Sequence, residues 1–553
     1  MRLFVAALLL LAAGCRSSTS SDSSFNKGSA STRGGELTAS IRTEPRNFAR
    51  LGPREATTDL VATLTQASLI RINRVTDDVE PWLAESWTRS ADGRQYTIKL
   101  RPNVRFSDGH PLSADDVLFS FEAAYAAGWA DSLQVDGKPL KVAVIDPLTV
   151  MLTFPVPFAP GLRILDNMIV LPRHKLQDIL KKGALQTAWG LSTPPSELAG
   201  LGPFVLSEYQ PGQRLVFVRN PQYWRRDNSG AQLPYLDRIT LDVVPEQSTE
   251  LLRLESGQSD TTASEMPADA YASLKRGADA GTLRLFDLGP GLYPDFLSFN
   301  LKPDAFAGDP RASWLQRDEL RRAISLAVDR RAFADTVFLG AGVPVFGPVS
   351  PANKRWYWAG TPKIPHDPAQ AKRLLASIGI TDEHPARFTI LTQKGRPTFE
   401  RGVAVIRDEL KKIGITVDVA ALEGNAVIQQ IVSGRYDAVY FNFFLSDTDP
   451  ALSADFWLSS GSEHFWNLEQ KTPATDWEGR IDELIRAQAV ASDDAERKRM
   501  FDKVQEIFVE HHPMIYFVAP RIFVGSSTRL GNVMPAVSRP QLLWSPDTLT
   551  VTH

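Results

Sequence analysis

FTILTQKGRPTFERGVAVIRDELKKIGITVDVAALEGNAVIQQIVSGRYDAVYFNFF (388–444) is the stretch that decides the fold class of this chain. It contains three apolar runs typical of buried strands, separated by two segments with the apolar spacing of helices. In the first of these segments Val403, Ile406 and Leu410 share one helical face, and Gly414 ends the helix. Strands that alternate with helices form a mostly parallel sheet with right-handed crossovers. The stretch therefore predicts an α/β lobe.

Outward from this stretch, the same patterns predict further helices and strands. An amphipathic helix is predicted over 318–333, because its apolar residues recur at helical spacing. Toward the N-terminus, two hairpins are predicted over 84–101 and 141–155, with Ser113 capping a helix between them. The remaining predictions are helices at 249–257, 367–379, 479–491 and 494–510, and strands at 36–43, 204–210, 214–220, 239–244, 296–301 and 512–525.

The N-terminus has the pattern of a processing signal and not of a fold element. One positive charge at Arg2 precedes an apolar run, Leu3–Ala13, that is too short for a permanent transmembrane helix. The ending LAAGC resembles a bacterial lipobox, which predicts a signal peptide over 1–14 and lipid attachment at Cys15. The alternative is an ordinary secretory signal in which Cys15 is incidental. Residues 15–35 are rich in Ser, Thr and Gly and are predicted to form a flexible tether.

Composition excludes several classes of protein. Among 553 residues, 61 are Lys or Arg and 64 are Asp or Glu, so the net charge of −3 argues against a nucleic-acid partner. A single cysteine excludes a disulfide framework and a cysteine-rich metal module. The eight histidines are scattered, and no nucleophile elbow, phosphate loop or zinc-protease motif occurs. We therefore expect no cofactor, no metal and no catalytic residues.

The order of the elements predicts two α/β lobes between which the chain crosses more than once. Lobe I is predicted to be discontinuous, an extra α+β domain covers 73–195, and lobe II covers 291–515. The lobe I segments are 36–72, 196–290 and 516–553. Two lobes joined by crossing strands can close around a ligand by hinge motion.

A family resemblance appears in a series of short segments whose order and spacing are more specific than any one of them. The chain resembles the bacterial extracellular solute-binding proteins of family 5, the oligopeptide- and dipeptide-binding components of ABC importers. The segments are PWLAESW (81–87), ADGRQYTIKLRPNVRFSDGHPLSADDVLFSFE (91–122), GLGPFVLSEYQPGQRLVFVRNPQYW (200–224), LESGQSD (254–260), LSFNL (297–301), RRAISLAVDR (321–330), HDPAQAKRLLASIGI (366–380) and LKKIGITVDV (410–419).

This resemblance implies a type II periplasmic-binding-protein fold, with two α/β lobes, a hinge and an additional small α+β domain. It implies a binding protein and no enzyme. We expect a monomeric lipoprotein, anchored on the periplasmic side of the cell envelope, that captures peptides between its lobes and delivers them to inner-membrane permease subunits. The alternatives are the same module binding an oligosaccharide, a metal chelate or haem, or a lipid-anchored hydrolase.

The resemblance also implies an aspartate that receives the α-ammonium group of a bound peptide. In FFLSDTDPALSADFW (443–457) Asp447 is the best match and Asp449 the second. Peptide-binding relatives usually leave three residues between this aspartate and the following proline, whereas two separate Asp447 from Pro450. Because Asp-Thr-Asp-Pro is also a good turn sequence, a turn-forming role for Asp447 stays open.

Aromatic side chains close to this aspartate complete the predicted site. Phe444, Trp457 and Trp466 are candidates for apolar and cation–π contact with the ligand. For each tryptophan the alternative is a core residue. The segment 460–482 also departs from the family pattern.

Overall fold

The computed structural model describes residues 33–50, 55–129, 133–443 and 447–552. Strands and helices are numbered in chain order. Three larger sheets organise the described residues, together with three two-stranded pairs. The pairs are β2 (Ile70–Ile72) with β3 (Val79–Pro81), β6 (Gln134–Val135) with β7 (Lys138–Pro139), and β22 (Leu530–Gly531) with β23 (Thr550–Val551).

The first sheet has eight strands drawn from distant parts of the chain. They are β1 (Glu36–Ile41), β10 (Phe204–Gln210), β11 (Arg214–Arg219), β12 (Arg238–Val243), β13 (Thr261–Thr262), β14 (Leu283–Pro290), β16 (Gly342–Pro344) and β21 (Val518–Ser527). Their order is β10-β11-β12-β1-β13-β21-β14, and β16 pairs with β21 beside this path. Strand β1 is at the centre of this order and runs parallel to both of its neighbours, β12 and β13.

The second sheet contains the stretch that decides the fold. Its strands are β15 (Phe296–Phe299), β17 (Ala386–Gln393), β18 (Ile415–Leu422), β19 (Ala438–Phe441) and β20 (Met514–Tyr516), in the order β18-β17-β19-β15-β20. Helices α9 (Pro397–Lys411) and α10 (Gly424–Val432) connect β17, β18 and β19, which are mutually parallel where they pair. The predicted βαβαβ unit is confirmed. Strands β15 and β20 add two antiparallel pairings.

The third sheet is small and antiparallel. Its order is β4-β5-β9-β8, formed by β4 (Ala84–Arg89), β5 (Gln95–Leu100), β8 (Lys141–Asp146) and β9 (Thr149–Thr153). Both predicted hairpins are confirmed. Helix α2 (Ala114–Ala126) lies between them, and Ser113 and Asp116 form a capping box at its start, as the sequence predicted for Ser113.

The other helices surround these sheets, and none of the described helices is both long enough and apolar enough to cross a membrane. They are α1 (Ala56–Thr65), α3 (Arg173–Lys181), α4 (Gln247–Glu255), α5 (Tyr271–Asp279), α6 (Asp318–Ala327), α7 (Arg330–Val337), α8 (Pro368–Ser377), α11 (Ala454–Trp457), α12 (Asp476–Val490) and α13 (Asp494–His511).

One predicted helix is wrong in its extent. The pattern over 318–333 predicts a single helix, but the structure has α6 and α7, separated by Val328 and Asp329. Val328 has extended backbone angles, and the Asp329 carboxylate accepts hydrogen bonds from the backbone of Arg331 and Ala332. Because an aspartate at this position caps a new helix, the local capping preference overrides the amphipathic pattern.

Two short stretches of chain connect the first and second sheets directly, in addition to the longer connections that lead to and from β16. Strand β14 of the first sheet is followed, across Gly291–Asp295, by β15 of the second. Strand β20 of the second sheet is followed by β21 of the first, with the buried Phe517 between them. These crossings fix where the two sheets meet, and each sheet has its own hydrophobic core.

The sheets relate to the predicted domain ranges in one unexpected way. Strand β16 lies within the range predicted for lobe II, yet it pairs with β21 of the first sheet. The third sheet lies within the range 73–195 predicted for the extra domain. The boundaries themselves stay a prediction.

Candidate functional site

A cleft of about 850 Å³ lies between the first and second sheets. Ligand sites in proteins typically have volumes of about 300–1,000 Å³, so the cleft is large enough for a small molecule or a short peptide. Gly291 and Pro520, from the two crossing stretches, both line it. The cleft therefore lies at the junction where relative motion of the two sheets would change its width.

The second-sheet wall of the cleft is built at the carboxyl ends of parallel strands. Arg396 lies in the turn between β17 and α9, and Asn442 directly follows β19. Because β17 and β19 are parallel neighbours, the loops after them meet at one edge of the sheet. This edge is where open α/β sheets bind ligands.

Arg396 is the cleft arginine whose guanidinium makes no hydrogen bond or ion pair with any residue that the structure describes. It lies over the ring of Phe399, 4.1 Å from the ring centroid. Partial burial lowers the pKa of Arg396 from its ordinary value, and Asp295 and Glu265 oppose this shift at longer range. Because its N–H groups have no partner among the described residues, the guanidinium of Arg396 can donate hydrogen bonds to an anionic group of a ligand.

The other arginines that line the cleft have partners. Arg42 Nε lies 2.7 Å from Glu250 Oε2, and Arg521 Nη2 lies 2.7 Å from Asp287 Oδ2. Further pairs join Arg74 with Asp166 and Arg539 with Glu265, Arg50 lies 3.8 Å from Asp59, and Arg401 donates to the carbonyl of Val337. Each of these arginines therefore already has a partner in the protein, which is a carboxylate in every case except Arg401.

Asp295 is a buried carboxylate at the base of the cleft. Its Oδ2 accepts a hydrogen bond from the Tyr440 hydroxyl at 3.1 Å, and its Oδ1 accepts one from Asn442 Nδ2 at 2.9 Å. Burial raises the pKa of Asp295 to about 7, although both hydrogen bonds and the charge of Arg396 act in the opposite direction. Near neutral pH this carboxyl group can therefore be neutral or charged.

Asp447 lines both the cleft and a side pocket of about 30 Å³, but its carboxylate already has a cationic partner. Arg163 Nε donates to Asp447 Oδ1 at 2.9 Å, and Arg163 Nη2 donates to Asp77 Oδ1 and Thr448 Oγ1, each at 2.9 Å. We call these four residues the Arg163 clasp. Burial lowers the pKa of Arg163, but Asp447 and Asp77 outweigh it and raise the pKa above its ordinary value.

Two of the other predicted site residues lie in the core beside this loop. Asp449 is buried, and Arg497 Nη2 donates to its Oδ1 at 2.7 Å. Trp466 is 1% exposed, and its Nε1 donates to Glu478 Oε1 at 3.2 Å. Neither residue lines the cleft or the side pocket.

Trp457 is also buried, but it lines the side pocket together with Asp447. Its ring packs edge-on against Phe501, with centroids 5.1 Å apart. The structure thus brings Asp447 and Trp457 together around one small space. Phe444 and Cys15 lie outside the described residues, so their predicted roles stay predictions.

Sequence reasoning did not single out Arg396, Asp295 or the cleft residue Glu463. For Arg396 a signal was present, because it lies in the short turn after a strand of the predicted parallel sheet and precedes Pro397 at a helix start. Asp295 lies between two strand-like runs with no motif around it. Glu463 reaches the cleft through a loop that no pattern in the sequence places there.

Comparison with known proteins gives the class of this chain. The family model described as "Bacterial extracellular solute-binding proteins, family 5 Middle" matches residues 78–465. A Deinococcus radiodurans protein named "Probable ABC transporter-binding protein" is 26% identical over 528 residues, covering 88% of this chain and 86% of that protein.

Two further likenesses come from Escherichia coli and Bacillus subtilis. The E. coli K12 protein named "Probable D,D-dipeptide-binding periplasmic protein DdpA" is 28% identical, with 79% of each chain covered. The structure of the oligopeptide-binding protein AppA from B. subtilis, in complex with a nonapeptide, matches with a TM-score of 0.72 at 22% identity. That match covers 95% of this chain and all of AppA.

The chain belongs to the bacterial extracellular solute-binding proteins, family 5. Its fold is that of the type II periplasmic binding proteins, as the resemblance implied. The family is one of extracellular solute-binding proteins. The cleft between the two sheets is therefore the place where a solute is expected to bind.

Proposed function

We propose that this chain captures peptides in the cleft and delivers them to the membrane permease of an ABC importer. The family, and relatives whose names describe dipeptide and oligopeptide binding, support this proposal. The solved relative that holds a nonapeptide supports a peptide as the class of ligand. The cleft volume of about 850 Å³ suits a short peptide.

The observation that carries the proposal is the guanidinium of Arg396 in the cleft wall, which has no hydrogen-bond or ion-pair partner in the described part of the chain. A peptide always ends in a carboxylate, and a guanidinium can bind a carboxylate through two parallel hydrogen bonds. Bringing the carboxylate to Arg396 supplies the partner that the protein itself does not supply. The Phe399 ring, 4.1 Å from the guanidinium carbon, adds a cation–π contact to Arg396.

The protein is proposed to act on the periplasmic side of the cell envelope as a lipoprotein anchored through Cys15. Cys15 is followed by a Ser- and Thr-rich stretch long enough to serve as a tether. Two or more acyl chains give stable membrane attachment without a transmembrane helix.

The test begins with the ligand that the protein carries. The full chain is purified without denaturant, bound molecules are released with acid, and they are identified by mass spectrometry. We expect a mixture of short peptides. Release of haem, a sugar or a single non-peptide metabolite would contradict the peptide proposal while leaving the binding fold intact.

The role of Arg396 is then measured with one retained peptide and its C-terminal amide, using calorimetry. Because charge-assisted hydrogen bonds contribute about 1.5–3 kcal/mol, Arg396→Gln should weaken binding of the free acid about 10- to 100-fold and leave the amide almost unchanged. Arg387→Gln, at an exposed arginine paired with Asp418 on β17, is the matched control. Equal losses for acid and amide would remove Arg396 from the carboxylate site.

A further inference from the structure

Most carboxylates that line the cleft already have partners. Asp77 and Asp447 are bound by Arg163 in the Arg163 clasp. Asp166 is paired with Arg74, whose Nη2 lies 2.8 Å from the carboxylate, and Asp59 lies 3.8 Å from Arg50. Each of these carboxylates therefore already has a cationic partner in the protein.

The remaining carboxylates of the wall differ in how they are used. Glu55 accepts hydrogen bonds from the backbone at the start of α1, and Glu265 is bound by Arg539. Asp295 is bound by Tyr440 and Asn442, and Asp269 is exposed. None of these four is a partly buried carboxylate in need of a partner.

Glu463 differs from all of them. Its carboxylate lines the cleft and is partly buried, yet it makes no hydrogen bond or ion pair with any described residue. Burial raises the pKa of Glu463, and the negative charge of Asp455 adds to this shift. No cation within the described part of the chain compensates for that burial.

Hydrogen bonds and aromatic packing hold the backbone of the loop that carries Glu463. Its backbone N–H donates to the carbonyl of Asp455 at 3.1 Å, and its own carbonyl accepts from Phe465 at 2.9 Å. The Phe465 ring packs against Phe443 with centroids 4.6 Å apart, which ties this loop to the end of β19. The preorganised loop lowers the entropic cost of binding a ligand there.

We propose that Glu463, and not Asp447, is the carboxylate that receives a cationic group of the ligand, such as the α-ammonium group of a peptide. This inference rests on the proposed peptide-binding function. Glu463 and Arg396 are opposite charges in the same cleft, and neither has a hydrogen-bond or ion-pair partner among the residues that the structure describes. A ligand with a cationic and an anionic end would satisfy both, whereas a neutral sugar would satisfy neither.

The proposal also explains the departure of the sequence from the family pattern. The spacing between Asp447 and Pro450 is shortened, and Asp447 pairs with Arg163. The loop that carries Glu463 belongs to the segment 460–482, which departs from the pattern as well. Under this proposal the cation-receiving carboxylate lies on a different loop from the one that the resemblance implies.

The experiment compares free and blocked amino groups. An enzymatic casein hydrolysate, untreated or fully acetylated, is incubated with the full chain, and the peptides retained after gel filtration are quantified by mass spectrometry. We expect the unaltered protein to retain at least tenfold more untreated than acetylated peptide. Glu463→Gln should lose this preference, so that the two retentions agree within about threefold. Glu463→Asp should restore part of it.

Two matched variants separate the outcomes. Asp455→Asn changes the neighbouring exposed carboxylate, which does not line the cleft, and should keep the preference. Asp447→Asn should also keep it. Loss of the preference in Asp447→Asn together with its persistence in Glu463→Gln would overturn the inference while the peptide-binding function stands. Retention of neither hydrolysate by the unaltered protein would overturn both.

Discussion

Asp295 shows how a single residue makes this cleft sensitive to pH. Its carboxyl group is 1% exposed, and its hydrogen bonds come from Tyr440 and Asn442, which are neutral. A buried carboxylate without a directly bound cation is costly to ionise. Burial therefore raises the pKa of Asp295 from 3.8 to about 7. Between these two values the folded protein holds a proton that the unfolded chain releases.

The consequence for stability has a definite sign. Stability from the protonated carboxyl group of Asp295 is fully present below the ordinary pKa of 3.8 and is lost as the pH rises through about 7. Asparagine cannot ionise, so Asp295→Asn should stabilise the protein relative to the unaltered chain by about 2 kcal/mol more at pH 8 than at pH 5. Urea unfolding at the two pH values measures this difference.

The control for Asp295→Asn is Asp335→Asn, at an exposed position on α7. The difference in stability between the Asp335→Asn variant and the unaltered protein should be the same at both pH values. Parallel pH dependence for Asp295→Asn and the unaltered protein would mean that Asp295 is ionised throughout this range.

At the scale of elements, local capping and close packing decide where helices end and how they lie. The break between α6 and α7 follows from the capping carboxylate of Asp329. Helix α9 packs against β19 so closely that a Cβ atom at Gly402 would lie 2.5 Å from the Tyr440 ring. That tyrosine also donates to Asp295. The glycine therefore determines how near α9 approaches the base of the cleft.

Gly402→Ala tests this contact, because two effects of the substitution oppose each other. Alanine favours a helix over glycine by about 1 kcal/mol, but overpacking a core costs about 1–3 kcal/mol. We expect net destabilisation in urea unfolding, with the cost of displacing Tyr440 exceeding the gain in propensity.

Gly479→Ala in α12 is the matched substitution without the contact. Its nearest neighbour would lie 3.8 Å from the new Cβ atom, so the gain in helix propensity should appear as stabilisation of up to about 1 kcal/mol. Equal effects at Gly402 and Gly479 would show that α9 can move away from β19 at no cost.

At the scale of the whole molecule, the Arg163 clasp joins parts of the chain that are far apart in sequence. Arg163 lies in the 3-10 helix Gly161–Asp166, and Asp77 lies between β2 and β3. Asp447 lies in the loop that follows β19 of the second sheet. Thr448 is also tied to Asn353, whose Nδ2 donates to its carbonyl at 3.0 Å. The clasp therefore links the region of the third sheet to that of the second at the wall of the cleft.

Replacing Arg163 should loosen this link. In Arg163→Met two carboxylates lose their cation, and breaking a buried ion pair typically costs about 3–5 kcal/mol. We expect a larger radius of gyration by small-angle scattering and weaker binding of casein peptides than in the unaltered protein. Arg163→Lys, which keeps the charge but loses the fork of donors, should lie between the two.

Arg74→Met is the control for the clasp. It removes a cleft ion pair with Asp166, a neighbour within the same region, and should not change the radius of gyration. An unchanged radius of gyration in Arg163→Met, with the protein still folded, would mean that the clasp does not hold the two regions together.

Local patterns in the sequence were enough to predict the parallel βαβαβ unit of the second sheet, the two hairpins of the third sheet and the cap at Ser113. Each of these depends on apolar periodicity or turn and capping residues within one short stretch. The family resemblance was equally readable, because it rests on the order of motifs along the chain. Asp447 was singled out in the same way, and the structure places it at the cleft.

Whether a charged residue of the candidate site has a charge partner could be read only from the fold. The pairing of Asp447 with Arg163 joins positions 284 residues apart, and that of Asp449 with Arg497 joins positions 48 apart. Packing that no local pattern records leaves Arg396 and Glu463 in the cleft without a charge partner among the described residues. Periodicity reports which face of an element is buried, whereas the partner of a charge depends on which distant segments the fold brings within hydrogen-bonding distance.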